Sequence, residues 1–246
     1  MDVSLYQAAA AMRATAQWQD LIAQNLTTSQ IPGGRKREIL FSDVEAGRNA
    51  SVAGAPGYVI PTVTTVTNFQ PGELHVSSNP MDFALEGPGF FTVQLPNGQM
   101  AYTRGGEFEL SSQGQLVTNQ GYPVMGDAGP LQFNPNNSDP VTISQTGDVS
   151  QGQQQVGKLK LVEFNNPGLL TMIGSQDFQS DNKSLVANPA ASTKVRQGFL
   201  EGANSSPTTE MSGLVTAMRA FEANQKVMQA DSDRMNRTIT ELGGTS

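Results

Sequence analysis

The chain has 246 residues, a formal net charge of −7, a pI near 4.7 and no cysteine; 37% of it is hydrophobic and 15% charged. That apolar content excludes a disordered chain, and the length allows one or two compact units. The acidic balance argues against nucleic acid, whose phosphates would repel it, and the lack of cysteine excludes disulfides, zinc knuckles and thiol nucleophiles.

Residues 1–31 read as a helix. Met1, Leu5, Ala8, Met12, Ile22 and Leu26 advance in alternating steps of four and three, with Thr15 and Gln19 filling the gap and no proline before Pro32. This spacing draws one seam along a helix. Ala8, Ala9, Ala10, Ala11, Ala14 and Ala16 make the helix thin, so each contact buries little area and several neighbours are expected. Asp2 without a basic leader predicts no cleavable secretory signal, and no run of about 18 apolar residues would span a membrane. The helix should stop near residues 27–30, before Pro32-Gly33-Gly34.

Residues 32–79 read as an extended connector with edge strands. Arg35-Lys36-Arg37 is expected to lie in a solvated loop. Residues 42–57, rich in Gly, Ala and Ser, predict a loosely ordered arm. Residues 58–67 have β-branched strand chemistry, with Pro61 pointing to an edge or bent strand.

Residues 80–200 read as an antiparallel β domain. Residues 89–95 alternate, Pro96-Asn97-Gly98 turns, and residues 99–103 return as a hairpin. Residues 107–110 and 115–118 form a second pair about Gln113-Gly114, and further strands are expected at 122–125, 141–144 and 156–164. Residues 165–195 carry no clear pattern.

Residues 201–246 hold the second long helix, from Pro207 to Leu242. Pro207 suits a first helical position and Glu210 the positive end of the helix dipole, while Gly243-Gly244 ends the run. Leu214, Met218, Phe221, Met228, Met235, Ile239 and Leu242 form a second heptad seam, with Gln225 and Ser232 in the gaps. At 1.5 Å per residue this rod is roughly 54 Å long, too long for a small domain to cover. Either the two seams close on each other as an intramolecular antiparallel pair, or both bundle with other copies. The fold class is α+β: long N- and C-terminal coiled-coil-forming helices bracketing a central antiparallel all-β domain.

Residues for catalysis are scarce. His75 is the only histidine, so a two-histidine metal site cannot be built and a Ser-His-Asp triad would have to use it. Gly87-Pro88-Gly89 reads as a tight turn rather than a dinucleotide loop. Asp177, Asp181 and Asn182 fit no EF-hand spacing and read as polar turns. Glu107 and Glu109 share one side of a strand and are expected to be solvated.

Several motifs together resemble the bacterial flagellar rod and hook family. They are Asn25-Leu26 followed by Pro32-Gly33, the run Met81-Asp82-Phe83-Ala84-Leu85-Glu86-Gly87-Pro88-Gly89-Phe90-Phe91, and Tyr102-Thr103-Arg104. Gly114-Gln115-Leu116-Val117-Thr118, Gly198-Phe199-Leu200-Glu201-Gly202-Ala203-Asn204, Met211 and Arg219-Ala220-Phe221-Glu222 complete the set. Thr27, Thr28 and Ile31 depart from the family signature, and Gly34 stands where an aromatic residue is usual. The opening Met1-Asp2-Val3-Ser4-Leu5-Tyr6, Pro123-Val124-Met125-Gly126 and Gly157-Lys158-Leu159-Lys160-Leu161 resemble the proximal rod subunit, with the distal rod subunit as the alternative. The resemblance implies an axial, non-enzymatic building block that needs no cofactor. It also implies export through the flagellar type III apparatus and periplasmic assembly with other copies and other rod subunits. In such an assembly the terminal helices form an inner tube around the export channel and the β domain an outer layer. A cell-wall-acting enzyme or a binding module would be the alternative from another class.

Overall fold

The structure, a computed structural model, describes residues 3–46, 58–137, 139–182 and 185–243. The chain divides into two compact units. Met1–Leu26, Arg37–Val66 and Pro207–Ser246 make the first, and Thr27–Lys36 with Thr67–Ser206 make the second.

The first unit contains helix α1 (Val3–Thr28), strands β1 (Arg37–Ala46) and β2 (Tyr58–Thr67), and helix α2 (Pro207–Gly243). α2 has 37 residues, with proline at its first position and Glu210 in its first turn, as the capping chemistry predicts. Asn25 Nδ2 donates to Glu210 Oε2 at 3.4 Å, and a Cβ built on Gly213 would lie 3.5 Å from Ile22 Cδ1. Moving back three residues on α1 moves forward three on α2, so the helices run antiparallel where they touch.

On α2, Glu210, Leu214, Ala217, Phe221, Asn224, Met228 and Asp231 are buried or half-buried. They advance by fours and threes, the geometry of one inward stripe. β1 and β2 pair with each other as a two-stranded sheet. β1 was not visible in the sequence; its residues 42–46 begin the stretch expected to be a loose arm, and residues 47–57 of that arm lie outside the described residues.

The second unit is built from short strands, with β3 (Leu74–Val76), β4 (Phe83–Glu86), β5 (Phe90–Gln94) and β6 (Met100–Thr103) leading. β7 (Phe108–Leu110), β8 (Leu116–Thr118), β9 (Met125–Gly126), β10 (Gly129–Pro130), β11 (Val141–Ile143), β12 (Asp148–Gln151) and β13 (Gln154–Lys158) follow. β14 (Leu161–Phe164), β15 (Thr171–Met172), β16 (Asp177–Gln179), β17 (Ala187–Pro189), β18 (Lys194–Gln197) and β19 (Phe199–Glu201) close it. A six-stranded sheet in the order β15-β16-β6-β5-β14-β17 forms its centre, every pairing in it antiparallel. β18 returns to pair with β4, and β19 with β3, so residues at the end of the unit complete strands laid down at its start.

The β5–β6 hairpin forms as its turn chemistry predicts, with Gly98 at φ 81° and its N–H bonded to the Leu95 carbonyl. A positive φ there suits glycine. β7 and β8 also pair, about the expected Gln113-Gly114 turn. Residues 89–95 alternate as expected, but both of their faces are covered: Phe90, Phe91, Thr92 and Val93 are all buried. Phe91 and Val93 enter a core with Phe83, Phe108 and Leu116, while Phe90 enters a second with Phe164 and Phe178. A strand inside a sheet covered on both faces loses its outward polar side. The run 156–164 is two strands in different sheets; Leu159, buried between them, drops into the first core, and Lys160 N–H bonds to Met125 O.

Candidate functional site

Six of the family-motif residues of the second unit gather around one buried carboxylate. Glu201 Oε1 accepts from Arg35 Nη2 at 2.7 Å and from the Gly72 N–H at 2.8 Å, and Oε2 accepts from Arg104 Nη1 at 3.2 Å. Glu201, Arg35 and Arg104 are each 2% exposed or less. Arg35 Nη1 also donates to Gln70 O at 2.7 Å, and Arg104 Nη2 to Gly87 O. The Arg104 guanidinium lies 5.0 Å from the Phe90 ring centroid, a cation–π distance. Desolvation, with Glu201 partly offsetting it and the neighbouring Arg35 charge adding to it, lowers the Arg104 pKa to about 10. At neutral pH the Arg104 guanidinium therefore stays charged.

The main chain closes the same knot. Gly33 N–H donates to Glu201 O at 2.7 Å, and Gly202 N–H to Glu73 O. Asn204 Oδ1 accepts from Lys36 N–H at 2.6 Å, while its Nδ2 donates to Asn68 O and Gln70 O. Three stretches remote in sequence, 33–36, 68–73 and 201–204, are thereby joined. Gly33, Arg104, Phe90, Glu201, Gly202 and Asn204 meet here; Pro32 sits in the turn leading in.

The remaining motif residues lie apart from the carboxylate. Gly89 N–H donates to Thr193 Oγ1, which in turn donates to Glu163 Oε1. Phe91 lines the first core, Tyr102 packs its ring 4.8 Å from Phe164, and Thr103 Oγ1 donates to Gln176 O. Leu200 pairs with His75 across β19 and β3. Asn25 belongs to the first unit.

Sequence reasoning missed Arg35. The run Arg35-Lys36-Arg37 is not a solvated loop: Arg35 is buried, Lys36 is held by Asn204, and Arg37 opens β1 with both main-chain groups bonded to the Asn25 amide. The available signal was Glu201 itself. A lone carboxylate in the apolar strand Phe199-Leu200-Glu201 requires a cationic partner once buried.

The proposed seam residues divide by exposure. Ile22 is buried, and Met12, Leu26, Leu214, Phe221 and Met228 are half-buried. Met218 is 51% exposed and Met235 36%. The side chains of Leu5, Ile239 and Leu242 lie outside the described set. Met218 continues a second line with Met211 and Val215, which are also about half exposed. Their spacing of four and three places all three on one face, beside the inward stripe.

The candidate acids sit in unlike surroundings. Glu107 is half-buried rather than solvated; desolvation first and Asp82 second raise its pKa, and Asn119 Nδ2 donates to its Oε2. Glu109 is exposed. Asp177 is not a turn residue: it begins β16 opposite Thr103, buried, with its carboxyl pushed up by desolvation. An open groove of about 510 Å³ on the β11–β13 sheet has Asp148 as its acidic lining residue. The Thr146 and Ser144 hydroxyls hold Asp148 below the usual carboxylate range, which makes it a poor proton donor. Among the described residues no group of three or more His, Asp or Glu is placed to hold a metal ion, and no helix is long and apolar enough to cross a membrane.

Two family models match the chain. One described as "Flagellar hook protein FlgE/F/G D1 domain" covers residues 84–151, and one described as "Flagellar basal body rod FlgEFG protein C-terminal" covers residues 196–242. The first contains Arg104 and the second Glu201; Arg35 lies outside both. The chain is 33% identical over 248 residues to the flagellar basal-body rod protein FlgG of Buchnera aphidicola subsp. Schizaphis graminum, covering 91% of this chain and 93% of that one. It is 30% identical over 257 residues to the flagellar basal-body rod protein FlgF of Escherichia coli, covering 96% and 97%. With the FlgF of Mesorhizobium japonicum it is 28% identical over 250 residues, covering 100% of both.

Proposed function

This chain belongs to the flagellar basal-body rod protein family, and we propose on that footing how it is built into the rod. It is a structural subunit of the bacterial flagellar basal body, and its role is not enzymatic. Polymerisation runs through the terminal helices, which bundle in coiled-coil fashion with those of other copies and of other rod subunits. Leu5, Met12 and Leu26 on α1 and Met218, Met235, Ile239 and Leu242 on α2 supply the packing between copies, while Ile22, Leu214, Phe221 and Met228 serve the helix pair within the chain. Repeated head-to-tail contacts that do not close give an axial filament rather than a ring. The chain reaches its place through the flagellar type III apparatus, the export route of the family it belongs to. The proximal, FlgF-type position is favoured by full-length similarity to a FlgF relative; the distal, FlgG-type position is favoured by the higher identity to a FlgG relative.

The observation that carries this reading is the exposed line Met211, Val215 and Met218 beside an inward stripe already in use. Three half-exposed large apolar side chains on one helix face are an unused packing surface. Met218→Asp tests it. In the isolated chain the aspartate stays in water, so the circular dichroism and melting of the purified variant should match the parent. In the rod it would be a buried unpaired charge, costing several kcal/mol. Incorporation into basal bodies and swimming are therefore expected to fail. Normal motility with Met218→Asp would remove this face from the mechanism.

A further inference from the structure

We propose that the buried contact between Asn25 and Glu210 selects the register in which α1 and α2 pair, making Asn25 a positioning residue for the helix pair. The inference concerns the first unit alone and does not depend on the rod reading. Asn25 is 2% exposed and Glu210 4%. The Asn25 amide accepts from Arg37 N–H at 2.9 Å through Oδ1, and donates through Nδ2 to Arg37 O at 2.8 Å and to Glu210 Oε2 at 3.4 Å. Only a side chain that both accepts and donates can hold the first residue of β1 in this way. It is thereby fixed at the end of α1 with an N–H turned to the first turn of α2.

The large apolar side chains alone do not choose this register. Leu214, Phe221 and Met228 repeat every seven residues on the inward stripe. Sliding α2 by one heptad, roughly 10.5 Å at 1.5 Å per residue, puts Phe221 in the seat of Leu214 and Met228 in that of Phe221. The line between them, Glu210, Ala217, Asn224 and Asp231, has the same spacing but changes chemistry at each step. In the slid pair Asn25 would face Ala217, and Glu210 would lie beyond the last turn of α1. A buried amide and a buried carboxylate would have lost each other, which native interiors avoid. Asn224 would enter the closed seat of Ala217 as well, but it is only half-buried to begin with, so among the polar side chains of this line the contact of Glu210 with Asn25 carries the larger share of the choice. One polar residue at a seam position can decide register in this way, by penalising the alternative.

The absence of cysteine makes the test clean. In the purified full-length chain, Ile22→Cys with Gly213→Cys reports the observed register, and Ile22→Cys with Ala220→Cys reports the slid one, each read by a short bismaleimide cross-linker. The otherwise unchanged chain should cross-link through the first pair and not the second. Asn25→Asp can donate neither to Glu210 nor to Arg37 O, and it sets a second carboxylate against Glu210. It should cut the first cross-link about tenfold, the population change expected for a lost buried hydrogen bond, and raise the second. Adding Glu210→Gln, whose amide can donate back to the new carboxylate, should restore the first. Glu210→Gln alone keeps an acceptor and should leave the register unchanged, as should Asn224→Ala, which leaves Asn25 and Glu210 together. An unaltered cross-link in Asn25→Asp would overturn the proposal. So would a shift to the second pair in Asn224→Ala, which would give the selection to Asn224. Loss of both cross-links without rescue, which would make Asn25 a clamp rather than a selector, or failure of the first pair in the unchanged chain would overturn it too.

Discussion

Glu201→Ala is expected to destabilise the second unit by about 3–5 kcal/mol, the cost of removing one partner from a buried ion pair. The variant leaves the guanidinia of Arg35 and Arg104 charged and buried without the carboxylate that both share. It also frees the Gly72 N–H. Water cannot take over easily at side chains almost wholly removed from solvent. At an m-value of about 2 kcal/mol/M, the urea midpoint should fall by roughly 2 M. Glu201→Gln keeps an acceptor but no charge and should fall between the variant and the parent. A midpoint shift in Glu201→Ala below about 0.5 M would mean that the knot is not what holds β19 and the segments around it.

Gly33→Ala should act on the same knot through the backbone. Gly33 has φ 72°, a left-handed conformation that costs a residue with a Cβ about 1–2 kcal/mol. A Cβ there would also press on the Arg104 carbonyl group and lie 2.5 Å from Gly105 N. Those contacts are main chain, so no side-chain rotation relieves them. The shift would pull Gly33 N–H from Glu201 O and drag Arg35 with it. Because both changes strain one network, the double variant Gly33→Ala with Glu201→Ala should lose less than the two single losses added together. Full additivity in urea unfolding would show that Gly33 and the carboxylate act independently.

The parts of this fold that were legible in the sequence are those written by local chemistry. α2 announced itself through Pro207, Glu210 and a seven-residue repeat, and the β5–β6 hairpin through Pro96-Asn97-Gly98. What stayed hidden depends on partners far away in the chain. Arg35 looked like a solvated base because Glu201, 166 positions later, is what buries it. The alternation at Phe90-Phe91 was legible, but not that two separate cores receive its two faces. Residues 165–195 gave no pattern because their strands run only two to four residues and take their register from β6, β14 and β4. On α2 the repeat was legible but its inward line was not. Ala217 is only weakly hydrophobic and Asn224 is polar, so neither outweighs Met218 in a periodicity count. Yet they are the residues turned inward, and Met218 stays exposed.

The central claim is that this chain is a rod subunit that other subunits are stacked upon, and electron imaging of basal bodies from cells lacking it tests that most directly. A structural subunit supplies a length of shaft, so bodies without it should show a rod cut short, with the later axial parts absent, and restoring the chain should restore both. Labelled full-length protein should then lie along the rod itself. Complete rods with hooks attached, formed in the absence of the chain, would contradict the account.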